Sequence, residues 1–107
     1  MRWYETIIAA HTAVSDAVSH ARYMNGARYF VWQEDGSNDY TADDVHAGRA
    51  VTGTTDLYTR VEFDPWVDEL GNSFDTYGIF WNINSIQYEE DTGFYHIEWR
   101  WEVIDNG

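Results

Sequence analysis

A chain of 107 residues carries material for one hydrophobic core, and folding at that size buries about two-thirds of the surface the unfolded chain exposes. Cysteine is absent, which excludes disulfides, iron-sulfur clusters, thiolate zinc sites and cysteine nucleophiles together. Nineteen carboxylates stand against six arginines with no lysine, and the formal charge of -13 repels phosphate, so neither specific nor non-specific duplex binding is expected.

The acidity has four readings on composition alone: simple solubility, a lining past which nucleic acid slides without sticking, a decoy for a nucleic-acid-binding protein, or a halophilic origin. It does not imply disorder, because 44% of the residues are apolar and 18% aromatic. No apolar stretch approaches the ~18 residues that span a bilayer, and the N-terminus lacks the apolar region of an export signal, so a soluble protein is expected.

From Tyr4 onward, Ile7, Ile8, Val14 and Val18 recur at helical spacing with alanines between them, which predicts a helix over residues 3–20. Asn25-Gly26 breaks the chain, and residues 27–34 combine aromatic and β-branched side chains into a strand ended at Asp35-Gly36. Residues 35–48 are polar, with four Asp, and read as a long surface loop. Val51, Thr55, Leu57 and Val61 alternate with polar neighbours in a half-buried strand.

Asp64-Pro65 then offers a cap and a first helical residue, with Trp66, Leu70, Phe74 and Tyr77 along one face of a second helix that closes near Gly78. The last third reads as a hairpin, residues 79–89 and 94–104, turning at Glu90-Asp91-Thr92-Gly93. In its final strand Tyr95, Ile97, Trp99, Trp101 and Val103 share one face. In its first strand the apolar phase slips near Asn84-Ser85, which predicts a bulge. These elements predict a single α+β domain over residues 1–107: an antiparallel four-stranded sheet with two helices packed on one face, in the order α-β-β-α-β-β.

Chemistry is hard to assemble from these residues. Counting a calcium loop from Asp35 places Tyr40 and His46 where Gly and Glu are required, so Asp35, Asp39, Asp43, Asp44 and His46 read as a solvated acidic loop rather than a metal site. His11, His20, His46 and His96 lack ligand spacing. No nucleophile elbow or phosphate-cradling glycine loop occurs, and Glu89-Glu90-Asp91 reads as wet turn residues. No enzyme, cofactor or metal is expected.

Rows such as Trp99-Trp101 and Trp66-Phe74 ordinarily form core, yet six indoles exceed the fully buried positions a chain this short offers, so some Trp or Tyr should serve a subunit interface, with Trp66, Trp99 and Trp101 the candidates. The acids Glu34, Asp35, Asp39, Asp43 and Asp44 are the candidates for an assembly-facing or channel-facing segment. Protein assembly is therefore the expected mode of action.

Three segments carry a family resemblance: Val31-Trp32-Gln33-Glu34-Asp35-Gly36, Gly53-Thr54-Thr55-Asp56-Leu57-Tyr58-Thr59-Arg60, and Asn84 to Gly93 leading into Ile97-Glu98-Trp99. Over residues 29–104 the chain resembles the tail-terminator, or tail-completion, proteins of long non-contractile-tailed phages. In these an ELYT-like strand precedes a helix starting near an acidic residue, and a hairpin closes the chain. The resemblance implies a virion protein at the head-tail junction, assembled in the host cytoplasm as a homo-oligomeric ring, typically a hexamer. Its partners would be the tail-tube protein and the head-tail connector. The reading from another class is a small acidic nucleic-acid mimic that inhibits a host defence protein.

Overall fold

The computed structural model describes residues 1–42 and 45–105, with backbone alone for 38–42 and 45–47. Helix α1 spans Trp3–Thr12 and not residues 3–20. Short polar side chains end it early. The Thr12 hydroxyl turns back to the Ile8 carbonyl at 2.9 Å, the amides of Val14 and Ser15 both reach the His11 carbonyl, and Ser15 Oγ accepts the Ala17 amide at 3.0 Å. The i−3 bond of the Val14 amide and the Ser15–Ala17 bond offer the backbone alternatives to helix. Val14 and Val18, which fit the helical spacing, still pack on the core, Val18 from strand β1, Val18–His20.

Four further strands and a helix follow: β2, Arg28–Ala42; β3, Val45–Thr59; α2, Trp66–Thr76; β4, Phe80–Glu89; and β5, Phe94–Asp105. The sheet is five-stranded and mixed, ordered β1-β2-β3-β5-β4. Strand β1 pairs in parallel with β2, while the other three pairings are antiparallel. This corrects the expected four-stranded antiparallel sheet, because three residues taken from the predicted first helix form an added edge strand.

The expected loop over residues 35–48 is also corrected. There β2 and β3 run on as a paired ribbon from Gly36↔Thr52 to Ala42↔Val45, with register shifts at Glu34/Gly36 and at Tyr40/Thr41. Half-buried strands announce themselves by apolar alternation, and Gly36-Ser37-Asn38-Asp39-Tyr40-Thr41-Ala42 has none. The predicted bulge in the last hairpin is present, as a register shift between Ile83 and Ser85.

The helices lie over one face of the sheet. Ile7 and Ala10 from α1, Leu70 and Phe74 from α2, and Phe30, Trp32, Val51, Leu57, Ile97, Trp99, Trp101 and Val103 from the strands form the core. The Ser73 hydroxyl donates to the Ala10 carbonyl at 2.6 Å, tying α2 to α1. Gly53 sits where any side chain would collide, since an added Cβ would fall 2.4 Å from both the Gln33 carbonyl and the Trp101 ring. The bare backbone lets the indole lie against β3.

Asp64 organises the entry to α2. Its buried carboxylate accepts the Trp66 amide at 2.9 Å and the Thr59 hydroxyl at 2.7 Å, and it pairs with the Arg28 guanidinium through both oxygens. Burial alone would raise this carboxyl, but the bonds from Arg28, Trp66 and Thr59 hold it below the usual carboxylate range. Among the described residues, no helix is long and apolar enough to cross a membrane.

Candidate functional site

Of the acids proposed for assembly, Glu34, Asp35 and Asp39 lie on β2. Glu34 is exposed and meets His20 Nε2 at 2.7 Å, a bond that holds its carboxyl below the usual range. Asp35 accepts the Thr52 hydroxyl at 2.7 Å beside the register shift, and it lines an open hollow of about 460 Å³ with Phe80, Asn82, Arg100 and Glu102. Asp43 and Asp44 lie outside the described residues, as do the side chains of Asp39 and His46.

The three tryptophans separate. Trp99 and Trp101 are 0% and 3% exposed, inside the core of the chain itself. Trp66 is partly exposed, stacks on Phe30 with centroids 5.3 Å apart, and carries the Arg28 guanidinium 3.8 Å above its ring.

The histidines are held in three settings. His11 is fully buried between the Ile7 carbonyl and the Thr55 hydroxyl. His20 stacks on Trp32 at 4.1 Å. His96, on the face of the sheet away from the helices, meets Asp56 across the β3–β5 ladder at 2.7 Å and stacks on Tyr58 at 4.5 Å. The Asp56 bond raises the His96 imidazole, while burial and a hydrogen bond with Tyr23 raise the Tyr58 phenol. Among the described residues, no group of three or more His, Asp and Glu side chains could hold a metal ion.

What sequence reasoning missed is an apolar surface at the β4 side of the sheet. Trp81 is covered by α2, against Gly71 and Phe74, but Ile83, Ile86 and Tyr88 further along the same strand are 36%, 64% and 54% exposed. Of these, Ile86 borders a hollow of about 310 Å³ with the turn before α2, walled by Val61, Phe63, Val67, Tyr95 and Ile97 and rimmed by Glu62 and Asp68. On the β1–β2 side, Trp3, Tyr4, Ile8, His20, Trp32 and Glu34 line a second hollow of about 300 Å³. The first lies beside the start of α2 over β4 and β5, the second beside β1 and β2, and isolated monomers rarely leave contiguous apolar surface of this kind. The sequence held one signal: Phe63 stands between acids in a turn with no periodicity to place it inside.

No protein-family model and no curated protein matches the chain. Among solved structures, it is similar to a chain of the virion of a native gene transfer agent (GTA) particle, at 12% identity and a TM-score of 0.50. The match covers 99% of this chain and 92% of that one, so the two share an architecture from end to end. At such low identity the likeness concerns the fold.

Proposed function

We propose that the chain is a virion structural protein of the tail-terminator class, which closes the end of a phage-type tail tube as a ring and presents a docking surface to the head connector. The observation that carries this reading is the end-to-end likeness to a chain of a gene transfer agent virion. The three segments that resemble tail terminators add to it, and they fall on β2, β3 and the β4–β5 hairpin. The protein works through its surfaces, without catalysis or a cofactor, in a ring of six.

In such a ring the acids of β2, Glu34 and Asp35 among them, face the channel and keep passing DNA from binding, which gives the charge of -13 a mechanical use. Electron microscopy of the purified protein at high concentration, with and without tail tubes of the encoding phage, tests the reading. Six-fold rings or extra density on one tube end support it. Neither appearing at any concentration overturns it, and binding to a nucleic-acid-binding host protein would then favour the acidic inhibitor.

A further inference from the structure

Strand β4 ends the sheet, and among the described residues no strand pairs with its outer side. Bare sheet edges are ordinarily short, or carry lysine or proline that discourages a further strand. Over ten residues β4 has neither, and Glu89, its one charged side chain, stands at the end. The pairings Ile83↔Trp99, Ile86↔Ile97 and Tyr88↔Tyr95 put these β4 side chains on the core face, yet they are exposed because α2 covers Trp81 and not the rest of the strand. Beyond the register shift at Ile83/Ser85, residues 85–89 pair regularly with β5. Ile86 of this stretch continues into the hollow beside α2, where Phe63 stands 93% exposed at a backbone φ of 52°. Apolar surface and free backbone edge adjoin, and a strand laid along β4 would use both.

Charge selects the kind of strand. The hollow is lined by Glu62, Asp64 and Asp68 and by no base. Arg28 already holds Asp64, whereas Glu62 receives only the uncharged Tyr95 phenol. On the other face β4 and β5 present Glu89, Glu98 and Glu102 around Arg100. A second copy of the chain supplies few matching bases. Lysine is absent, Arg2 and Arg49 are paired with Asp105, Arg28 with Asp64, and Arg60 lies over Phe94. Two copies meeting here would set acid against acid.

We propose that β4 receives an extended segment of a different protein, paired backbone to backbone along residues 85–89, in which aliphatic side chains alternate with lysine or arginine. The aliphatic residues lie on the helix side against Ile86 and Tyr88. The bases between them meet Glu89 and Glu98, and Glu62 and Asp68 add an attraction that salt weakens. This rests on the reading of the chain as a protein that works through its surfaces, and it names what one of those surfaces takes.

The probe is a fluorescein-labelled Lys-Val-Lys-Ile-Lys-Val-Lys peptide, titrated into the whole protein and followed by anisotropy and by amide NMR shifts. Saturable one-to-one binding that weakens with salt is expected, with the largest shifts over residues 85–89. Affinity should fall about ten-fold in Ile86→Ser and again in Glu89→Gln with Glu98→Gln. An edge strand meets its neighbour through alternate amides, so N-methylating either the lysines or the aliphatic residues of the peptide should abolish binding while methylating the other set leaves it intact. Equal effects of the two methylations, shifts centred outside β4, or equal binding of a peptide with glutamate in place of lysine would overturn the proposal. Exchange protection of β4 that grows with protein concentration in the absence of peptide would overturn it in favour of a second copy. Peptide seated on β4 with no ring and no tube cap by microscopy would remove the terminator reading and leave this one standing, and rings or caps without peptide on β4 would do the reverse. Ile86 is exposed at the edge, so thermal unfolding of Ile86→Ser should match the parent, and Tyr88→Ser is the second variant if it fails to fold.

Discussion

His11 Nε2 lies 2.8 Å from the Thr55 hydroxyl across 44 positions of chain, and both residues are sealed from solvent. The ring's Nδ1 is 2.7 Å from the Ile7 carbonyl, which can only accept, so Nδ1 carries the proton and Nε2 takes the Thr55 hydroxyl hydrogen. The Thr55 oxygen is then left to accept the Trp101 indole N–H at 3.0 Å. One hydroxyl thus joins α1 to β3 and β5. Thr55→Val strands two buried polar groups and should cost about 2–3 kcal/mol, whereas Thr55→Ser should cost less than about 1 kcal/mol. Urea unfolding checks this, with a lower midpoint and an unchanged slope in the valine variant.

The same histidine makes the fold acid-sensitive. Burial lowers the His11 imidazole from 6.5 to about 4, against the smaller raising effect of the Ile7 carbonyl. Between those values the unfolded chain binds the proton and the folded chain does not, so stability falls as pH drops from 6.5 toward 4. A gap of about 2.5 pH units corresponds to roughly 3 kcal/mol. His11→Gln should be less stable at neutral pH, and its stability should change less over that interval than the parent's. Equal slopes in the two proteins would refute the assignment.

His96 acts in the opposite direction. Its bond to Asp56 raises the imidazole, so the stabilisation it brings is complete below about pH 6.5 and is lost as pH rises through the raised value. An NMR titration should find the His96 ring above its ordinary range in the parent and closer to it in Asp56→Asn. Identical titrations would discount the bond.

Removing the Asp64 carboxylate should be the most damaging single polar change. It leaves Arg28 without its buried partner and the Trp66 amide without its acceptor, at the point where α2 begins. Asp64→Ala is expected to cost about 3 kcal/mol, with Asp64→Asn intermediate because it keeps an acceptor. Thermal melts of the two variants against the parent decide the order.

Phe63 should be a position where the native side chain costs the isolated chain stability. Asparagine tolerates the left-handed region that Phe63 occupies, so Phe63→Asn should stabilise the isolated chain by up to about 1 kcal/mol and raise Tm by about 4 °C. A lower Tm would show that the phenyl group supports the monomer.

The sequence displayed what periodicity can display. Trp66, Leu70 and Phe74 announced α2, the alternation from Tyr95 to Val103 announced β5, and the slipped phase of Ile83 and Ile86 announced the bulge. It misled at Val14 and Val18, whose spacing of four suits a helix while hydroxyls at Thr12 and Ser15 end one. It was silent on the β2–β3 ribbon, whose pairing is backbone to backbone and needs no apolar pattern. The candidate surface was the least legible part. Ile83, Ile86 and Tyr88 look like core in a strand, and only the position of β4 at the edge, beyond the reach of α2, exposes them. Trp99 and Trp101, by the same logic, lie in the middle of the sheet and are enclosed.

Trp32 has histidines at two depths. His20 stacks on it at 4.1 Å from the wet edge of the sheet, and His11 lies 6.4 Å away in the dry interior. A protonated imidazole quenches indole emission by accepting an electron, so the chain carries its own optical gauge of proton entry. With the other five tryptophans replaced by phenylalanine in turn, the acid quenching that persists belongs to Trp32. Light emitted from that ring then reports proton entry into the core at His11, whose imidazole burial lowers to about 4.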